Sequence, residues 1–454
     1  MRVFSRTLAA GLVSLLLTGL TSCGATEDDA LTPAPIPVPA ASNVSSLPAL
    51  AAQNVVLYEV FVADFSVPGA FDGMLTRLDS LKDTRVNTLW LMPIHPTHGS
   101  PYAVDSYTAV NPDFGDLAAF DRLVVAAHKR GLHVLLDWVA NHTSYYHPWI
   151  LAHPDWYNHD ANGQIVHPQP AWTDVADLNY NQPALRQEMT SSMSTWVTQH
   201  AVDGFRCDAA DLVPADFWQQ AISTLHQANP NLLLLAEGSN TSHYGAGFAL
   251  TFGWDFYTAM QSVFIRNASV AGLPVAHAQE MQQVPAGAYR LRFTTNHDEV
   301  QAGTPAAQLG SEAAARAAYV ATLAFGATPL LYNGQEAGDP AQLTNPVRTP
   351  IRWGLDPTAG TFYRRLLRLY QAQPAWRAGP AEWFAQSPNA VVVRHRLNGQ
   401  EVAILVNVRS YAITLTPPAA WAGGAGWVDA FSQQPAQPAQ PLALPAYGYA
   451  IWLR

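Results

Sequence analysis

The stretch Gly204-Phe205-Arg206-Cys207-Asp208 sets an arginine and an aspartate two residues apart in an otherwise apolar run. In an extended strand, residues i and i+2 share a face, so the guanidinium lies beside the carboxylate. Such a neighbour holds a carboxylate ionised and oriented through charge-assisted hydrogen bonds, the state a nucleophile needs. Glu237 follows Leu232-Leu233-Leu234-Leu235-Ala236. An apolar setting raises a carboxyl pKa and suits a group that carries a proton near neutral pH. Asp137 ends the run from His133, with Asn141 and His142 just beyond, and Asn296-His297-Asp298 ends another. Two carboxyl groups in such different settings fit glycoside hydrolysis: one attacks or stabilises the sugar cation, the other protonates the leaving oxygen. Any one of these acids alone is equally well explained as half of a buried ion pair. Four acid-bearing run ends together are not.

These groups need elements that bring them to one place. From about Asn54 onward, short apolar runs alternate with helical stretches. The runs are 55–61, 87–93, 133–137, 204–208, 232–237, 249–252, 289–295 and 328–332. Helices are expected over 74–81, 117–130, 183–198, 214–228, 311–325 and 361–371. Continuous apolar strands separated by helices indicate a parallel sheet covered on its outer face. Eight such units predict an α/β fold, a (β/α)8 TIM barrel, whose catalytic groups sit at the carboxyl ends of the strands. A doubly wound open sheet is the rival, but no glycine-rich phosphate loop follows the first strand. The barrel is expected over 51–380. Residues 142–181, too long for a bare connection and rich in aromatics, are expected to form a small inserted subdomain. Beyond 381 the helices stop. Two strand-like runs flank Asn398-Gly399, a hairpin signal, so 381–454 is expected to be a C-terminal antiparallel β-sandwich domain.

On these residues the chain resembles the α-amylase family, the large clan of retaining glycoside hydrolases that act on α-glucans. The matching stretches, in family order, are Asp137-Trp138-Val139-Ala140-Asn141-His142, Gly204 to Asp208, Leu235-Ala236-Glu237-Gly238 and Phe293 to Asp298. Weaker matches are Gly99 to Tyr102, Asp177-Leu178-Asn179 and Pro329 to Glu336. The resemblance implies that Asp208 is the nucleophile, Glu237 the acid and later the base, and Asp298 the acid that binds the sugar's 2- and 3-hydroxyls. It implies that Arg206 orients the nucleophile and that His142 and His297 bond the sugar before the cleavage point. Tyr102 becomes the platform under that ring, and Asn296 joins the substrate-binding set. A structural calcium is also implied, with Asn141, Asp177 and the carbonyl of Leu212 as candidate ligands. Hydrogen bonds from Asn141 and Asp177 that merely tie down the subdomain explain those two residues equally well. The substrate class implied is starch-derived glucan or maltooligosaccharide, with no organic cofactor. α-Glucosidases, cyclodextrin-degrading enzymes, glucanotransferases and trehalose-forming isomerases share the same acids, and a starch-binding lipoprotein without catalysis is the reading from another class. One departure stands out. Many α-amylases have lysine and histidine at the third and fourth positions after the nucleophile, where they contact the leaving-group sugar. Here Asp211 and Leu212 stand there. Asp211 is expected to accept a sugar hydroxyl but cannot donate as an ammonium does, and Leu212 offers no polar side chain. Weaker binding on that side is therefore expected, with the aromatic loop from Tyr145 to Trp172 able to compensate by stacking.

The amino terminus carries a targeting pattern. Arg2 and Arg6 precede an apolar run from Leu8 to Leu20, which ends in Leu20-Thr21-Ser22-Cys23. This resembles a bacterial lipobox: residues 1–22 would be removed and Cys23 lipidated. Two or more acyl chains anchor a protein stably. Residues 23–50, rich in Ala, Pro, Ser and Thr, read as a tether. The chain is therefore expected to be exported and anchored to a bacterial membrane through Cys23, with the outer membrane favoured. The second of its two cysteines, Cys207, reads as an inert filler of the barrel wall. Only 13% of residues are charged and the net charge is −10, which argues against a nucleic-acid partner.

Overall fold

The computed structural model describes residues 46–67, 69–341, 348–422 and 426–454. The expected signal, Cys23 and nearly all of the tether lie outside the described residues. Eight parallel strands close into a barrel: Leu57–Val60, Thr88–Leu91, His133–Trp138, Gly204–Cys207, Leu233–Ala236, Leu250–Phe252, Tyr289–Arg292 and Thr328–Tyr332. Each pairs with its neighbours in chain order, and the first pairs with the eighth (Leu57 opposite Leu330). All but Tyr289 of these strand residues are buried, as expected where helices cover one face of a sheet and side chains fill the other.

The fourth strand starts at Gly204, with φ +152°. A Cβ there would run into the Leu233 carbonyl, so only glycine lets the fourth and fifth strands approach this closely. The register then sets Arg206 between Asp137 on one side and Leu235 on the other. That pairing puts one guanidinium in reach of three strand ends.

The elements differ from expectation at their edges. The helix expected over 74–81 is two short ones, Phe71–Leu75 and Leu78–Asp83. The first ends where the Thr76 hydroxyl bonds back to the Gly73 carbonyl, a local competitor for helix continuation. The last barrel helix starts earlier, at Pro357, because Asp356 caps it and proline suits its first turn. The seventh strand stops at Arg292, so Thr295 to Asp298 are free to turn into the barrel mouth.

Within the 142–181 insertion, His142–Ser144 pairs antiparallel with Val175–Asp177. Beyond the barrel, the hairpin of Ala390–Leu397 and Gln400–Asn407 turns at Asn398 (φ +51°) and Gly399 (φ +81°). Both residues are left-handed, as a two-residue hairpin turn requires. This hairpin centres a five-stranded antiparallel sheet. Val391, Val393, Ile404 and Val406 join the barrel's core, while Val392, Ala403 and Leu405 meet Trp421, Trp427 and Trp452 on the other face. A two-stranded ribbon, Ile413–Leu415 with Leu442–Leu444, accompanies the second face. The expected sandwich is thus one full sheet and one ribbon, with its first face shared with the barrel.

Candidate active site

A cleft of about 220 Å³ opens where the strands end, lined among others by Tyr102, His142, Asp208, Glu237, His297 and Asp298. Beneath it lies Arg206, fully buried. Its Nη1 donates to Asp137 Oδ1 and Asp208 Oδ1, each at 2.8 Å. Its Nη2 makes an ion pair with Glu237 Oε1 at 2.9 Å. The guanidinium carbon also stands 4.9 Å from the centre of the Trp90 ring, a cation–π contact inside the barrel. Trp90 Nε1 (3.0 Å) and the Tyr102 hydroxyl (3.1 Å) donate to the second oxygen of Asp137. One cation thus serves three carboxyl groups.

Burial, more than that shared charge, decides the electrostatics of the site. Burial, and next the charge of Glu237, push the Asp208 carboxyl well above the usual carboxylate range, against the pull of Arg206. Burial likewise raises Asp137, again opposed by Arg206. The sequence pointed to a guanidinium that keeps Asp208 ionised; the structure divides that guanidinium among three acids, and desolvation wins at Asp208. Nor does Glu237 sit in an apolar pocket. One oxygen meets Arg206 and the other accepts the Ala209 N–H at 2.7 Å.

His297 and His142 are set in opposite states. His297 Nδ1 donates to Glu59 Oε1 at 2.6 Å and Nε2 to the Tyr102 hydroxyl oxygen at 2.8 Å. Burial opposes its charge, but Asp298 and Glu59 outweigh that and push it up to about 9. Two donating nitrogens fit an imidazolium. Burial holds His142 down at about 4, and its Nδ1 accepts from the Asn141 amide at 3.1 Å. Asp298 stands at the rim, its side chain 54% exposed.

For Asn296 and Asp211 the structure shows partners that the sequence did not announce. Asn296 is fully buried and does not line the cleft. Its Oδ1 accepts from the N–H groups of Asp298 (3.1 Å) and Glu299 (2.8 Å). It therefore shapes the turn that presents Asp298. Asp211, expected to accept a sugar hydroxyl, is turned away: Oδ1 meets His243 Nε2 at 2.6 Å and Oδ2 accepts the Ser239 N–H at 3.2 Å. Asn141 and Asp177 are brought together by the subdomain's strand pair, Leu178 N–H donating to the Asn141 carbonyl at 3.2 Å. Leu212 follows in a 3-10 turn with its side chain exposed. Trp172, Asp174, Val175 and Ser100 also line the cleft. Trp172 belongs to the loop aromatics that the sequence offered for stacking, and Ser100 to the match from Gly99 to Tyr102. Asp174 and Val175 carried no signal, since only the fold of the insertion brings them to the mouth. Glu59 could have been suspected, as the one acid inside the first apolar run.

The chain is similar to known proteins over most of its length. A family model described as the alpha-amylase catalytic domain matches residues 42–163 and 152–360. Alpha-amylase 3 of Dictyoglomus thermophilum is 26% identical in an alignment that covers 66% of this chain and 68% of that protein. Alpha-amylase MalA of Haloarcula japonica is 29% identical in an alignment that covers 81% of this chain but only 57% of that longer protein. Among solved structures, an alpha-amylase from Lactobacillus plantarum superposes with a TM-score of 0.79 at 27% identity, over 89% of this chain and 99% of that one.

Proposed function

The chain is a glycoside hydrolase of the alpha-amylase family, and on that footing we propose that it cleaves α-1,4-glucosidic bonds of starch-derived glucans and maltooligosaccharides with retention. The observation that carries the proposal is the single guanidinium that touches Asp208 and Glu237 through its two terminal nitrogens. The bridge holds the two carboxyl groups at one mouth, as the paired acids of glycoside hydrolysis require; retention is the course the family resemblance implies. In the reading proposed, Asp208 attacks the anomeric carbon while Glu237 gives its proton to the departing glycosidic oxygen. The covalent glycosyl–Asp208 ester forms and the first product leaves as an alcohol. Water then attacks the same carbon, its proton passes to Glu237, and the ester bond breaks to return the Asp208 carboxylate. His297 stands at the cleft as a cation held by Glu59 and Tyr102, His142 lines it as a neutral imidazole, and Asp298 at the rim accepts hydrogen bonds from sugar hydroxyls. Tyr102 supplies a flat face for the ring's C–H groups.

The leaving-group side supports a narrower statement. With Asp211 held by His243 and Leu212 apolar, the turn after the nucleophile offers a departing sugar no free polar side chain. Each hydrogen bond missing there is of order 1 kcal/mol. The enzyme is therefore expected to work on soluble maltooligosaccharides, release short products and degrade granular starch poorly. Product length followed through a time course tests this: early loss of iodine staining with long intermediates would sink it.

Two further parts of the proposal rest on sequence. For calcium, Asn141, Asp177 and the Leu212 carbonyl are hard oxygen donors of the right chemistry. They are too few to fill its shell, and Asp177 Oδ2 already accepts from Asn158 Nδ2 at 2.7 Å. If the ion binds, chelator lowers the melting temperature and added calcium restores it; no shift leaves the hydrogen bonds as the tie. For the anchor, Cys23→Ser is expected to move the protein from the membrane fraction to the soluble one. A wild-type protein already soluble would end the idea.

A further inference from the structure

The segment that carries Glu237 is tied to the turn after Asp208 at several points. Ala209 N–H donates to Glu237 Oε2 at 2.7 Å and Ala210 N–H to the Glu237 carbonyl at 3.0 Å. Ser239 N–H donates to Asp211 Oδ2, and His243 Nε2 to Asp211 Oδ1. Ala209 makes its bond from φ +43°, ψ +41°, a left-handed conformation that a residue with a Cβ adopts only where its surroundings impose it. Gly238 completes the fit, since a Cβ there would strike the Asp211 carboxylate.

His243 shows that this arrangement is more than filling. It is 1% exposed, and its Nδ1 is buried without a hydrogen-bond partner. A buried ring with an unsatisfied nitrogen is worse for stability than an apolar side chain of the same shape. Among the described residues, the one hydrogen bond the His243 ring makes goes to Asp211. Asp211 in turn reaches the backbone two residues past Glu237, inside the strap that decides where that carboxyl points.

We propose that Asp211 and His243 are a positioning pair. They fix the Gly238-Ser239 backbone and thereby aim Glu237 at the leaving oxygen. The side chain that could have touched the departing sugar has become a strut for the acid. This inference rests on the reading of Glu237 as the acid/base, and the experiment separates the two.

The readout is the ratio of kcat/KM on maltotetraose to kcat/KM on α-maltosyl fluoride. A sugar alcohol needs a proton to leave, and fluoride needs little. Misplacing a general acid by a fraction of an ångström to an ångström costs about ten- to a hundred-fold on the first substrate only. His243→Leu is therefore expected to lower the ratio about ten-fold or more. His243→Gln, which keeps an N–H for Asp211, should restore most of it. Gly238→Ala, which pushes on Asp211 from the other side, should lower the ratio as His243→Leu does and serves if that variant fails to fold. Equal losses on both substrates, or no loss, in a folded variant would overturn the positioning role. Glu237→Gln is measured alongside: if it keeps the wild-type ratio, the acid assignment itself fails, whatever His243 does.

Discussion

Asp208→Asn and Glu237→Gln each lower turnover on maltooligosaccharides by about 10²–10⁴-fold or more while leaving the fold intact. Both exchanges keep the shape of the side chain, remove its ability to ionise and turn one acceptor oxygen into an NH2 donor. At Asp208 the fold should not object. Burial and the Glu237 charge work against the charged form of that carboxyl, so losing the charge costs the fold little. The melting temperature of Asp208→Asn is expected near the wild-type value, together with the loss of activity. That pairing separates chemistry from packing. A variant that keeps more than about a tenth of wild-type turnover removes its residue from the mechanism.

Arg206→Met has the opposite signature. Methionine replaces a buried cation by an apolar side chain, and Asp137, Asp208 and Glu237 lose the charge they share. Removing one partner from a buried ionic cluster costs about 3–5 kcal/mol, because the remaining charges are left uncompensated. The sign of the pH dependence follows from the direction of the shifts. Burial raises the folded-state pKa of Asp137 and Asp208, and Arg206 counteracts it; without Arg206 the folded pKa values rise further above the unfolded ones. The folded variant then binds more protons than the unfolded chain, so its stability falls as pH rises from the unfolded carboxyl range towards neutrality. Arg206→Met should melt well below wild type at pH 7.5 and closer to it near pH 5. Arg206→Lys should recover only part of the loss, since a point charge cannot reach three acids as a fork does. An unchanged melting temperature at pH 7.5 would mean that the cluster does not depend on the guanidinium.

Much of this site could be read from the chain because strand geometry is regular. Arg206 and Asp208 share a face wherever their strand lies, and acids that follow apolar runs mark strand ends in any parallel barrel. The eight runs and their order gave the architecture for the same reason. What could not be read depends on contacts distant in sequence. The guanidinium's division among three acids follows from the register of three strands, which no single run encodes. The Asp211–His243 bond joins residues 32 positions apart, and Asp211 alone looked like a free acceptor. Asn296 stands where a sugar ligand should stand, but its amide caps the next turn, a choice made by local backbone direction. Trp172 and Asp174 reach the cleft only because His142–Ser144 and Val175–Asp177 pair.

The stereochemistry of the first product tests the central claim most directly. Proton NMR of a maltooligosaccharide digest, recorded before mutarotation, reports the anomer released at the new reducing end. Attack by Asp208 followed by attack of water inverts the anomeric carbon twice, so the α-anomer is expected first, with β appearing only as the sugar equilibrates. A first product in the β form would mean a single displacement by water and would contradict the covalent Asp208 intermediate.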